Sequence, residues 1–84
     1  MYGINLIEVA KILGIAVSSN ALFSKNGVVH SIHQEIVKYA AQEDTAMVKV
    51  MMRTLAQQNK QAYEDVAKIL REHFTEQELR EILR

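Results

Sequence analysis

Apolar residues recur at helical spacing through the C-terminal half of the chain, and no glycine or proline interrupts residues 44–74. Residues three, four and seven positions apart share one face of an α-helix. The spacing therefore predicts one long helix over about 44–74, with an apolar stripe of Met47, Val48, Met51, Met52, Leu55, Ala62, Val66, Ile69 and Leu70. Residues 57–61 are all polar, so a hairpin broken in this run is the alternative. The seven-residue spacing of apolar positions across the run favours the continuous helix.

Local sequence signals predict three further helices. Asn5 followed by Glu8 has the form of a capping box and opens a helix that we expect to stop near Gly14. Apolar residues with a period near 3.6 predict a second helix over 28–41. A threonine followed three positions later by a glutamate opens a short terminal helix over 75–83. The pattern predicts an all-α bundle of four to five helices.

Length and composition bound the kind of protein. The 84 residues predict a single helical domain, 1–84, of which 49% are hydrophobic. A domain of this size buries only about 60–65% of the surface of its unfolded chain, so its stability is marginal. Because the chain has no cysteine, disulfides cannot stabilise it. We therefore expect a homodimer in which the long helix buries its surplus apolar surface.

Charge is balanced overall but not locally. Ten basic and ten acidic residues cancel, which argues against non-specific binding to nucleic acid or to an anionic membrane. Residues 45–63 contain no acid, and Lys49, Arg53 and Lys60 lie within about 40° of each other on the side of the long helix opposite the apolar stripe. Residues 4–17 are too few to cross a membrane and lack the features of a signal peptide, so we expect a cytoplasmic protein.

The sequence contains no recognisable catalytic constellation, phosphate-binding loop or metal-ligand cluster. His30 and His33 lie three positions apart, but no third strong ligand is identifiable near them. The acids in the last third of the chain fall on predicted solvent faces, among basic residues. We expect no enzymatic activity, no cofactor and no bound metal.

The predicted function is that of a protein-interaction or regulatory module that acts by helix docking to a protein partner. Methionine side chains adapt to irregular partner surfaces, and basic side chains steer acidic partners. The residues expected to bind the partner are Met47, Met51, Met52, Leu55, Lys49, Arg53 and Lys60.

An alternative interpretation rests on residues 8–19, Glu-Val-Ala-Lys-Ile-Leu-Gly-Ile-Ala-Val-Ser-Ser. This segment resembles the opening of a helix-turn-helix of the lactose-repressor or mercury-regulator type. The resemblance implies a turn at Gly14 and a DNA-binding motif over about 5–26, with dimerisation through the C-terminal helices. Positions 21–23, where such proteins carry basic side chains, are Ala, Leu and Phe. The DNA-contacting residues that the resemblance implies are Ser18, Ser19, Asn20 and Lys25.

Overall fold

Five α-helices form the part of the chain that the computed structural model describes, which is residues 3–19 and 27–83. They are α1 (Leu6–Ser19), α2 (Gly27–Ala41), α3 (Thr45–Gln58), α4 (Lys60–Arg71) and α5 (Glu76–Leu83). No strand occurs in these residues, which confirms the predicted all-α class. Helix α3 is central because it packs against α2, α4 and α5, whereas α1 packs mainly on α2. The radius of gyration, 11.5 Å, is close to the value of about 12 Å for a compact chain of this length.

Side-chain caps define the starts of α1, α3 and α5. The Asn5 side chain accepts a hydrogen bond from the Glu8 amide at 3.2 Å, and the Asp44 carboxylate accepts one from the Met47 amide at 3.1 Å. At α5 the capping box is complete. The Thr75 hydroxyl accepts from the Glu78 amide at 3.2 Å, and the Glu78 carboxylate accepts from the Thr75 amide at 2.8 Å. These bonds satisfy amides that have no partner within the helix.

The turn between α2 and α3 closes with a Schellman motif that contains no glycine. The Asp44 amide donates to the Tyr39 carbonyl at 3.0 Å, and the Glu43 amide donates to the Ala40 carbonyl at 3.0 Å. This geometry requires a left-handed residue after the helix, and Glu43 takes that conformation with φ of 59°. The tight turn returns the chain so that α3 packs on α2.

The continuous helix predicted over 44–74 is wrong: the chain leaves helical geometry at Asn59, inside the polar run given as the alternative break, and the second of the two helices ends at Arg71. Asn59 has extended backbone angles (φ −157°, ψ 100°). Its amide still donates to the Leu55 carbonyl at 2.8 Å, which closes α3, and its side chain accepts from the Ala62 amide at 3.0 Å, which opens α4. Asparagine favours this capping role because its short side chain reaches backbone amides. The polar run thus contains a helix break.

A second correction concerns Gly14, where a turn was predicted. Helix α1 continues through Gly14 to Ser19. A glycine inside a helix costs about 1 kcal/mol relative to alanine, which a helix packed on its neighbour tolerates. A β-carbon added at Gly14 would meet no atom within 4 Å, so no close approach of another helix requires glycine there.

The apolar stripe supplies the core of a single chain. Along α3 and α4 its buried members are Val48, Met52, Leu55, Ala62, Val66 and Leu70. They pack with α1, α2 and α5 through residues that include Val9, Leu13, Ile36, Leu79 and Ile82. Most of the surface that was expected to require a second subunit is therefore covered within the chain. Homodimer formation stays a prediction.

Candidate functional site

An open cleft lies between α3, α4 and α5. Its volume is about 510 Å³, within the range of about 300–1,000 Å³ that is usual for ligand sites. The residues that line it are Lys49, Met52, Arg53, Ala56, Tyr63, Ile82 and Leu83. Apolar groups and cationic groups therefore share this depression.

Helix α3 supplies the longest wall of the cleft. Lys49, Met52, Arg53 and Ala56 follow the spacing i, i+3, i+4 and i+7 and so fall within an arc of about 100°. Met52 lies at the inner edge of this arc and is 1% exposed, whereas Arg53 lies at the outer edge and is exposed. The wall thus grades from apolar at the floor to cationic at the rim.

The opposite side of the cleft is built by Tyr63 on α4 and by Ile82 and Leu83 at the end of α5. The Tyr63 hydroxyl donates a hydrogen bond to the Leu83 carbonyl at 3.1 Å. This bond satisfies an orphan carbonyl at the C-terminal end of α5. It also restrains the Tyr63 ring, which lines the cleft as a fixed aromatic surface.

The two rim cations, Lys49 and Arg53, have no acidic partner among the described residues. Within residues 3–19 and 27–83 the structure contains one ion pair, between Arg71 and Glu76 at 3.9 Å. Neither Lys49 nor Arg53 therefore forms an ion pair inside the described chain. Helix α3 and the first turn of α4 contain no acid. The positive charges of Lys49 and Arg53 therefore stay available to a ligand.

The structure separates the residues that were expected to bind a partner. Lys49, Arg53 and Met52 come together at the cleft, but Leu55 is fully buried and Met52 is only 1% exposed. Met47 and Met51 are half-buried on the other flank of α3 and do not line the cleft. The interpretation of Met52 and Leu55 as an exposed methionine-leucine surface therefore does not fit the single chain.

Lys60 also lies apart from the other two predicted cations. In a continuous helix it would continue the cationic row, but the break at Asn59 places it in the first turn of α4. Lys60 is exposed and does not line the cleft. Tyr63, Ile82 and Leu83 do line it, although none of the three was predicted to be a site residue. No local pattern marks them, because tertiary packing brings them to α3.

The predicted helix-turn-helix is not formed in the predicted way. Its turn at Gly14 lies inside α1, and Ser18 and Ser19 belong to the last turn of that helix. Asn20 and Lys25 lie outside the described residues. The geometric basis of the resemblance is therefore absent at Gly14, and DNA binding stays an untested prediction.

A buried histidine joins α1 to α2. His33 is fully buried, and its Nε2 lies 2.9 Å from the Leu13 carbonyl, which can only accept, so Nε2 carries the hydrogen. Burial lowers the pKa of His33 below its ordinary value of 6.5; the hydrogen bond to Leu13 opposes this shift, and the charge of His30 adds to it. His33 therefore acts in the core as a neutral hydrogen-bonding side chain.

Comparisons with known proteins identify no relative of this chain. No protein-family profile matches it, and neither a curated protein nor a solved structure is significantly similar to it. Among the described residues, none of the helices has the length and apolar character needed to span a membrane. The functional argument therefore rests on the cleft.

Proposed function

We propose that this chain is a small non-enzymatic protein-interaction module that docks an acidic amphipathic helix of a partner protein in the cleft between α3, α4 and α5. The observation that supports it best is the juxtaposition of an apolar floor with two cations that have no acidic partner among the described residues. An amphipathic helix with carboxylates beside its apolar face complements both features.

The open shape of the cleft suits one face of a helix. Its lining residues on α3 run from Lys49 to Ala56, which corresponds to about two helical turns. A partner helix would lie along them while its other face stays in water.

Tyr63 is well suited to be the central contact of such a complex. Its ring is half-buried in the cleft and its hydroxyl is already bonded to Leu83. Binding therefore orders little at this side chain, and aromatic residues in partly buried positions are frequent hot spots of interfaces.

A titration with a synthetic peptide tests the proposal. Four Glu-Ala-Ala-Leu repeats form an amphipathic helix with a glutamate row beside a leucine row. We expect saturable changes in nitrogen–proton correlation NMR spectra at the residues that line the cleft. No saturable change there, or changes elsewhere only, would overturn the proposal.

A matched pair of alanine-to-phenylalanine variants provides the control. Ala56→Phe fills the cleft at a half-buried position, whereas Ala46→Phe adds the same ring at an exposed position of α3 outside it. We expect the first variant to abolish peptide binding and the second to preserve it. Circular dichroism verifies that both variants retain their helix content. Equal binding by the two variants would contradict docking in the cleft.

A further inference from the structure

The spacing of the two rim cations adds information about the partner. Lys49 and Arg53 are four residues apart on one helix, so their backbones lie about 6 Å apart along its axis. A partner helix has the same rise per residue. Two carboxylates four residues apart on that helix therefore span the same distance as the two cations.

We infer that the docked helix carries two carboxylates four residues apart, in a row that borders its apolar row. This inference rests on the proposed docking function and specifies its partner. The Arg53 guanidinium offers a fork that fits a carboxylate with two hydrogen bonds, and the Lys49 ammonium acts as a point charge. On α3 the cationic row borders the apolar floor of the cleft. The complementary helix repeats this arrangement with opposite charge.

Within α3 and the start of α4, no acid opposes this charge pattern. Residues 45–63 contain no acid, so neither cation is neutralised from its own helix or from the first turn of α4. The chain as a whole has ten basic and ten acidic residues. A neutral protein has no long-range excess of positive charge for a nucleic acid, which makes the local carboxylate pairs the favoured interaction.

Two peptides of identical composition, both with carboxylates four residues apart, separate the placement of the carboxylate row beside the apolar row from net charge. In Glu-Ala-Ala-Leu repeats the glutamate row lies about 60–100° from the leucine row, whereas in Ala-Glu-Ala-Leu repeats it lies about 160° away. With two partly shielded ion pairs, we expect the first peptide to bind about 3- to 30-fold more tightly at low salt. Added salt should reduce this difference.

Reversing the charge of Lys49 and Arg53 provides a second test of the inference. The double variant Lys49→Glu/Arg53→Glu should lose the preference for Glu-Ala-Ala-Leu repeats and bind Lys-Ala-Ala-Leu repeats more tightly. Because rescue by the lysine peptide requires a folded protein, it distinguishes lost charge from lost structure. The control variant Lys60→Glu changes an exposed cation outside the cleft and should keep the preference of the unmodified chain.

Each outcome has a distinct meaning. Equal affinities of the two glutamate peptides, with binding still lost in Ala56→Phe, would overturn the inferred placement of the carboxylate row beside the apolar row and leave docking intact. Absence of binding by every peptide would overturn docking itself. Displacement of the bound peptide by a mixed-sequence DNA duplex would identify a phosphate-binding surface and also overturn the inference.

Discussion

Replacing Asn59 by alanine tests what separates α3 from α4. The substitution removes the side-chain oxygen that accepts from the Ala62 amide at 3.0 Å. The backbone hydrogen bond from the Asn59 amide to the Leu55 carbonyl, at 2.8 Å, is unaffected by the change of side chain. The variant therefore isolates the cap of α4.

The magnitude follows from two competing effects. Loss of an N-cap side chain costs about 0.5–2 kcal/mol. Straightening the chain would give the new alanine its helix propensity, worth about 0.7 kcal/mol. It would also remove α4 from the core, where Val66 and Leu70 are each fully buried, and each such side chain contributes about 1.5–3 kcal/mol. Burial is the larger effect, so we expect the break to persist and stability to fall by about 1 kcal/mol.

Urea unfolding followed by circular dichroism measures this loss. A protein of this size has a denaturant slope near 1 kcal/mol per molar urea, so the midpoint of Asn59→Ala should fall by about 1 M. Asn59→Asp keeps an acceptor in the same place and should unfold near the midpoint of the unmodified chain. Gln57→Ala, at an exposed position of α3, controls for a general surface effect.

An unchanged or higher midpoint for Asn59→Ala would refute this reasoning. The same holds for an elongated dimer in sedimentation velocity, which reports both mass and shape, because it would show that a continuous helix with an intermolecular core is accessible once the cap is removed. Either result would mean that burial within one chain is weaker than the structure implies.

Two further substitutions test α1 and its contact with α2. Gly14→Ala should stabilise the protein by about 0.5–1 kcal/mol in urea unfolding, because Gly14 is inside a helix with open space around it; destabilisation would indicate a turn there. The pKa of His33 is lowered in the folded chain from 6.5, so below that pH the unfolded chain binds a proton that the folded chain does not, and stability should fall as the pH falls. His33→Gln should flatten this dependence relative to His73→Gln, an exposed control; equal pH profiles for the two variants would contradict the assignment.

The helix caps were predictable because they depend on neighbours in sequence. Asn5 and the pair Thr75 and Glu78 cap as their spacing predicts, since each bond joins residues three positions apart. The helix end predicted at Gly14 and the continuous helix predicted through Asn59 were wrong because both features depend on packing between helices. Packing of α1 on α2 outweighs the weak helix propensity of Gly14. At Asn59 the chain turns so that α4 packs back on α3, although the apolar spacing also permits a straight helix.

The cleft was predictable on one side only. Lys49 and Arg53 share a face of α3 under any helical assignment, so their proximity follows from sequence spacing. Tyr63, Ile82 and Leu83 reach the same cleft through the break at Asn59 and the packing of α5 on α3. No periodicity within a single helix contains that information, because it depends on how separate helices pack.

Asn59 therefore determines the candidate site as well as the fold. In a continuous helix Lys60 would extend the cationic row beyond Arg53, and Tyr63 would lie about one further turn along the same rod. The break removes Lys60 from the row and sets Tyr63 opposite α3, where its hydroxyl bonds to Leu83. Because the helix breaks at Asn59, the cleft has an aromatic wall formed by Tyr63 and lacks the third cation, Lys60. Two cations therefore lie beside its apolar floor.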